Sequence, residues 1–88
     1  MNSSDNMPSY ELNKSDFNEA GEISLLDILV KTAIAPSKGQ ARILVNQGGI
    51  TLNDIKMSDD KYSLKEKDFN SELILKKGKK TYIKLLLK

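Results

Sequence analysis

Hydrophobic and polar positions along the chain divide it into a polar leader, two helical segments and a series of short strands. Residues 1–22 are rich in serine, asparagine and acidic residues, and their apolar residues follow no clear period. Because this composition is typical of linkers, the sequence predicts an acidic, weakly ordered arm over residues 1–22. The folded domain is predicted over residues 23–88.

Two helices are predicted at the start of that domain. The first covers residues 23–34, with Ser24 as its N-cap and Asp27 in the first turn as a capping-box carboxylate. Pro36 ends this helix, since the residue before a proline disfavours helical geometry. The second helix begins at once, with Ser37 as its predicted N-cap.

The second helix has a clear apolar face and a clear end. At about 100° per residue, Ala41, Leu44 and Val45 lie on one side, which predicts the face that packs on the core. Gly48 or Gly49 supplies the left-handed residue that ends the helix.

Beyond these glycines the apolar period changes to two, which indicates short strands. Asn53-Asp54 is the predicted turn of a first hairpin. Further strands are predicted over residues 72–76 and 80–87, joined by a turn at residues 77–79. Two helices followed by several short strands predict an α+β domain.

Composition excludes several kinds of chemistry. The chain has no cysteine and no histidine, which excludes disulfides, zinc sites built on thiolate or imidazole, and Ser-His-Asp catalysis. The acidic pair Asp59-Asp60 has no complementary base beside it, so we predict loop caps there and no catalytic or metal site. No apolar run approaches the roughly 20 residues of a membrane span, and we expect a cytoplasmic protein without a membrane partner.

The net charge of +2 conceals a division between the two parts of the chain. Residues 1–22 hold five acidic residues and one lysine, a net charge of −4. Residues 23–88 hold thirteen basic and seven acidic residues, a net charge of +6. An acidic leader before a basic body indicates a polyanionic partner, and the alternative is a lysine-rich tail that serves solubility.

Two clusters of cations are candidates for phosphate binding. Lys38 and Arg42 share a flank of the second helix with Asn46, close to the helix start at Ser37, where free N–H groups and the helix dipole favour an anion. The alternative is an ordinary solvated helix face. Residues 76–80 place four lysines around a glycine at a hairpin tip, where an anionic partner would relieve their mutual repulsion. Protection of an edge strand is the alternative there.

Two tyrosines also have a possible role in nucleic-acid binding. Tyr62 and Tyr82 are of the residue type that stacks on bases. For Tyr82, which stands inside an apolar strand, packing in the core is the favoured prediction.

Residues 24–57 resemble the ribosomal S-four-like RNA-binding domain, also called the alpha-L fold. The pattern Ser-basic-x-x-Ala-Arg begins at Ser37, and Gln-Gly-Gly-hydrophobic-x-hydrophobic-Asn occupies residues 47–53. Within that group the chain is most similar to the C-terminal tRNA-binding domain of bacterial-type tyrosyl-tRNA synthetases. The join at residues 32–38 and the basic hairpin at residues 76–80 carry this closer similarity.

The resemblance implies two short N-terminal helices packed on a small, mostly antiparallel sheet. It implies a non-catalytic, monomeric fragment without a cofactor of its own; the parent ligase would use ATP and tyrosine and form a homodimer through its catalytic domain. The implied partner is tyrosine tRNA, held near its long variable arm and anticodon stem, and no DNA is expected.

Ile43 stands where a second arginine is common in the family, which reduces the basic face of the second helix. The RNA contacts predicted in this way are Ser37, Lys38, Arg42, Asn46, Lys56, Lys77, Lys79 and Lys80.

Three alternatives remain open at this point. Similar modules occur in pseudouridine synthases and in ribosome-associated proteins, which would change the parent protein and keep the fold. A protein–protein or dimerisation module would use the apolar last strand to pair with a partner. A helix-turn-helix DNA binder is disfavoured, because the second helix offers few side chains for reading base edges.

Overall fold

Two helices and seven short strands are distributed along residues 8–88, the part of the chain that a computed structural model describes. Helix α1 spans Leu25–Lys31 and helix α2 spans Lys38–Asn46. The strands are β1 Ser9–Leu12, β2 Glu22–Ser24, β3 Ile50–Leu52, β4 Ile55–Met57, β5 Ser63–Lys65, β6 Leu73–Lys77 and β7 Thr81–Leu87. Short 3₁₀ turns cover Lys14–Asp16 and Glu66–Asn70.

Five of these strands form one sheet in the order β1-β7-β6-β3-β4. Its pairs are antiparallel except for β1 and β7, which run parallel. Strands β2 and β5 form a separate antiparallel pair ahead of α1. The predicted α+β class is therefore confirmed, while the S-four-like fold stays an expectation from the resemblance.

The core lies between the two helices and one face of the five-stranded sheet. Helix α1 contributes its buried apolar side, and Ala41 and Val45 of α2 are fully buried as the helical period predicts. Leu44, the third residue of that predicted face, is half-buried against the same core. The fully buried side chains of one cluster thus come from both helices and from the sheet, among them Leu25, Ile28, Leu29, Ile50 and Leu75.

For residues 9–17 the structure differs from the weakly ordered arm that the sequence predicts. Strand β1 pairs with the edge strand β7, and Leu12 is fully buried. Phe17 packs edge-on against Phe69, with the ring centroids 5.7 Å apart. The partner strand stands at the far end of the sequence, so no local period reveals the pairing. Residues 1–7 of the predicted arm lie outside the described residues.

A charged pair joins this N-terminal segment to α1. The carboxylate of Asp16 accepts a hydrogen bond from the backbone N–H of Asn13 at 2.9 Å and lies 3.2 Å from the ammonium of Lys31. The Asn13 hydrogen bond and, after it, Lys31 hold the pKa of the Asp16 carboxyl below its usual range. Residues 13–16 are thereby fixed against the helix.

Both predicted helix caps are confirmed, although α1 is shorter than its predicted range. The Oγ of Ser24 accepts from the Leu26 N–H, and the Oγ of Ser37 accepts from the Gln40 N–H, each at 3.2 Å. Ile23 lies in β2 and not in the helix, because its strand pairs with β5. The predicted helical range 23–34 therefore contracts to Leu25–Lys31.

The predicted stop of α2 is also confirmed, and it is a Schellman motif. Gly48 adopts a φ of 74°, which strongly favours glycine. Its N–H donates to the Val45 carbonyl at 3.0 Å, and the Gly49 N–H donates to the Leu44 carbonyl at 2.9 Å. The helix carbonyls are thereby satisfied, and the chain turns directly into β3.

The hairpin turn at Asn53-Asp54 is as predicted, with positive φ values of 51° and 68°. The Asn53 side chain also clamps the hairpin onto the next strand. Its Nδ2 donates to the Glu72 carbonyl at 3.0 Å, and its Oδ1 accepts from the Ile74 N–H at 2.8 Å. An asparagine suits this position because it tolerates the left-handed conformation and supplies both a donor and an acceptor.

Replacement of Leu12 by alanine tests whether β1 is an integral part of the domain. Removing a fully buried leucine side chain is expected to lower the free energy of unfolding by about 2–5 kcal/mol. Urea unfolding followed by circular dichroism measures this loss. The matched control is Glu11→Ala on the same strand, where the side chain is exposed and the change should stay within about 0.5 kcal/mol. Equal stability of the two variants would contradict the buried docking of β1.

Candidate nucleic-acid interface

The first group of predicted site residues lies along one exposed flank of α2. Ser37 caps the helix, and Lys38, Arg42 and Asn46 follow at intervals of four residues, so they lie on successive turns of one side. The side chains of Lys38 and Arg42 are 67% and 63% exposed. The sequence prediction that these residues share an accessible flank agrees with the structure.

Two carboxylates from neighbouring elements face this flank. The Lys38 ammonium lies 2.8 Å from Asp27 of α1. The Arg42 Nε lies 3.6 Å from an oxygen of Asp60, and the same oxygen accepts from the Asn46 amide at 3.3 Å. Because both cations are largely exposed, each of these ion pairs is expected to contribute only about 0–1 kcal/mol to stability.

The roles of these carboxylates were not found by sequence reasoning. Asp27 was expected to close a capping box on α1, but its carboxylate pairs with Lys38 instead. Asp59 is the loop cap that was predicted, since its side chain accepts from the Lys61 N–H at 2.9 Å. The sequence predicts the same role for Asp60, but its carboxylate pairs with Arg42 instead. Each pairing joins different elements, so spacing along the chain carries no signal for it.

The second group of predicted site residues lies in the turn between β6 and β7. Gly78 there has a φ of 63° and no neighbour within 4 Å of an added Cβ, so the turn is open to solvent. Lys79 and Lys80 are exposed. Lys77 is half-buried, and its Nζ donates to the Ile34 carbonyl at 3.4 Å, in the join between α1 and α2. Lys77 therefore anchors the turn to the helices.

The end of α2 brings the remaining pieces together. We refer to Gly48 and Gly49 as the glycine junction. The side chain of Lys56, on β4, passes so close to Gly48 that a Cβ there would overlap its Cε. The Gly78 N–H donates to the Gly49 carbonyl at 2.9 Å. Lys56 and the basic turn thus both contact the glycine junction that directly follows α2.

The prediction that Tyr82 packs in the core is wrong. Its side chain is 39% exposed, and the ammonium of Lys76 lies 5.2 Å from the ring centroid. The Tyr82 hydroxyl donates to the Lys79 carbonyl at 3.2 Å. The alternation of β7 places Tyr82 on the face opposite Leu85, which is buried, and a run of apolar neighbours does not reveal which face a strand buries.

Among residues 8–88, no set of three or more carboxylate side chains is placed to hold a metal ion. No charged or polar residue is classed as buried in the same range. No helix there has the length and apolar character needed to cross a membrane. The described surface instead offers exposed cations on a helix flank and on a turn.

The fold and this surface define a small α+β module with clustered, exposed cations. Residues 1–85 match the family model described as the tyrosine–tRNA ligase SYY-like C-terminal domain, and the chain belongs to that family. It is 46% identical over 83 residues to a tyrosine–tRNA ligase of Clostridium perfringens, covering 93% of this chain and 20% of that protein. It is 43% identical over 86 residues to a tyrosine–tRNA ligase of Acetivibrio thermocellus, covering 97% and 21%.

A relative from another lineage gives the same result. The chain is 38% identical over 87 residues to a tyrosine–tRNA ligase of Malacoplasma penetrans, covering 98% of this chain and 21% of that protein. The chain thus spans about a fifth of the length of these relatives. The resemblance to C-terminal domains of tyrosyl-tRNA synthetases is confirmed. The comparisons lend no support to a pseudouridine synthase module, a ribosome-associated module or a dimerisation module.

Proposed function

We propose that this domain is a tRNA-binding part of a tyrosine–tRNA ligase. It binds tyrosine tRNA and contributes no catalytic group itself. The observation that carries the proposal is the exposed cationic flank of α2, together with Lys56 packed on Gly48 and the basic turn hydrogen-bonded to Gly49 at the end of the same helix. Membership of the ligase C-terminal family supports tRNA as the anionic partner. The parent enzyme would use ATP and tyrosine in a separate catalytic domain, act as a homodimer and work in the cytoplasm.

The exposed cations among the predicted contacts have different tasks in this proposal. Arg42 presents a planar fork that is able to hold a phosphate through two hydrogen bonds, whereas Lys38 acts as a point charge. Lys56, Lys79 and Lys80 extend the positive surface around the glycine junction. Contacts of this kind hold an RNA by its backbone and shape, with little reading of base edges.

The carboxylates of Asp27 and Asp60 fit the same mechanism. In the free domain they pair with Lys38 and Arg42 on the helix flank. An arriving phosphate replaces the carboxylate, so the cation exchanges one anionic partner for another and always keeps one. The carboxylates therefore reduce RNA affinity, because each must be displaced, and they restrain the side chains that bind.

Neutralising the helix flank tests the grip on tRNA. The double variant Lys38→Gln, Arg42→Gln should weaken binding of tyrosine tRNA by about tenfold at ~0.1 M salt, since two phosphate contacts are lost. For the unchanged chain, four to five neutralised phosphates give a slope of log K against log salt of about −3 to −4, and the variant should lose about 1.5 of that slope. Filter binding or fluorescence anisotropy across a salt series measures both.

The matched control for that variant is Lys14→Gln, Lys65→Gln. It removes the same charge from two exposed lysines that lie away from α2 in the chain, on the first 3₁₀ turn and on β5. We expect the control to bind with nearly the affinity of the unchanged chain. If both double variants lose the same affinity, α2 contributes to binding only through the net charge of the chain, and the proposed contacts are wrong.

Removing the Asp60 carboxylate tests whether it competes with phosphate. Asp60→Asn should strengthen tRNA binding by about two- to fivefold, because an exposed pair of this kind is worth up to about 1 kcal/mol. Asp59→Asn is the control, since it changes the net charge equally, leaves the loop cap in place and does not touch Arg42. Equal gains in the two variants would show that Asp60 does not occupy the binding groups.

The region of tRNA that is bound is tested by trimming the RNA. The long variable arm is expected to provide part of the contact surface, so a tyrosine tRNA with that arm shortened should bind several-fold more weakly. The slope against salt should also become less steep, since fewer counterions are released. Anisotropy titrations with the two labelled RNAs make the comparison. Equal affinities would refute a contact with the arm and leave general RNA binding intact.

A further inference from the structure

The five-stranded sheet has an open face on the side away from the core. On β6, Leu73 and Leu75 point into the core, so Ile74 and Lys76 point to the other side. Register then places Thr51 of β3 and Tyr82 of β7 beside Lys76 on that open face. All of these open-face side chains are exposed or half-buried in the described chain.

At one end of this face, the ammonium of Lys76 lies over the aromatic ring of Tyr82. The Lys76 ammonium lies 5.2 Å from the centroid of the Tyr82 ring. The ring is also fixed at its tip, because the hydroxyl donates to the Lys79 carbonyl at 3.2 Å. Tyr82 therefore presents a restrained aromatic surface, 39% exposed, next to the basic turn.

A shallow depression adjoins the ring. Ile74 is its apolar member, and the amide of Asn53 is already committed to hydrogen bonds with the backbone of β6 and the residue before it. Lys76 lies at one end of the depression and the carboxylates of Asp54 and Glu72 at the other, where Lys84 of β7, opposite Ile74, pairs with Glu72. The residues that line it are Asn53, Asp54, Glu72, Ile74, Lys76 and Tyr82.

We propose that this open face holds one unpaired nucleotide of the bound RNA, with the base stacked on Tyr82 and a flanking phosphate on Lys76. The inference rests on the proposed function and adds a second, separate contact surface to it. A nucleotide matches the site because it combines a flat π surface with an anion, and an aromatic ring with a neighbouring cation offers the complement of both. Stacking tolerates any base, so sequence preference at this site is weak.

The charges of the depression fix the direction of the nucleotide. Asp54 and Glu72 at the far end repel a phosphate, although Glu72 is partly neutralised by Lys84 at 3.0 Å. The phosphate therefore lies toward Lys76 and the basic turn, and the base lies over Ile74 and the Tyr82 ring. This orientation continues the RNA backbone toward Lys79 and Lys80.

A tryptophan probe reads the site directly. The chain contains no tryptophan, so Tyr82→Trp introduces a single tryptophan at the proposed stacking position, and its emission is excited separately from that of the remaining tyrosines. Titration with a single-stranded uridine hexanucleotide at low salt should quench its emission, because a stacked base lies against the indole ring. Tyr62→Trp is the control, since Tyr62 is about equally exposed at 37% and lies beside Ile55 and Met57. Its emission should not change.

Affinity measurements provide a second and independent readout. Tyr82→Thr keeps a strand-forming residue but removes the ring, and it should weaken hexanucleotide binding by about tenfold. Tyr82→Phe keeps the ring but loses the hydrogen bond of its hydroxyl, so it should retain most of the affinity that Tyr82→Thr loses, whereas Tyr62→Thr should bind as the unchanged chain does. Hexanucleotide binding by Tyr82→Thr that equals the unchanged chain, or a Tyr82→Trp variant whose emission is not quenched, would overturn the stacking site.

The outcome separates this inference from the proposed function. If the Lys38→Gln, Arg42→Gln variant binds tRNA normally while Tyr82→Trp is quenched, the grip by α2 is wrong and the stacking site stands. If tRNA binding depends on α2 while no quenching occurs, the stacking site is wrong and the proposed function stands. Circular dichroism of each variant shows that its fold is retained before either conclusion is drawn.

Discussion

The turn that ends α2 is the constraint on which the rest of the structure depends. At the glycine junction the chain must leave the helix in a left-handed conformation and enter β3 within one residue. The two hydrogen bonds of the Schellman motif satisfy the last helix carbonyls and fix the angle between helix and sheet. Because Gly48 lacks a side chain, Lys56 is able to lie across it. Because the Gly49 carbonyl accepts from Gly78, the basic turn is held there as well.

The charged surface around that junction is assembled from weak and replaceable interactions. The cations of its ion pairs are largely exposed, and the described residues bury no charged or polar side chain that would need a fixed partner. Stability therefore resides in the apolar cluster, and the surface cations are free to change partners without disturbing the fold. This separation allows a domain of 88 residues to carry many lysines on one small core.

Local features of the fold were predictable from the sequence because local chemistry determines them. Ser24 and Ser37 cap helices, Gly48 ends one, and Asn53-Asp54 forms a tight turn, each within a few residues of its partners. The accessible flank of α2 follows from the same helical period. These positions are the ones that the resemblance to the family also uses.

The remaining features depend on pairings between distant parts of the chain. β1 is a strand because β7 lies beside it, and its own sequence has the composition of a linker. Tyr82 is exposed because sheet register directs it away from the core, and Lys77 is half-buried because the helix join passes over it. The competing roles of Asp27 and Asp60 arise between elements in the same way. Such contacts leave no spacing signal in a single sequence.

The parallel pairing of β1 with β7 has a mechanical consequence. Four residue pairs join these strands, from Ser9 with Lys84 to Leu12 with Leu87. Tension applied between the start of β1 and the end of β7 runs along the strands, so it shears all the bridging hydrogen bonds together and does not open them one by one. Buried Leu12 adds resistance at the end of the pair. A pulling force applied ahead of residue 8, with the end of β7 held in place, is thus resisted by all the hydrogen bonds between β1 and β7 at once.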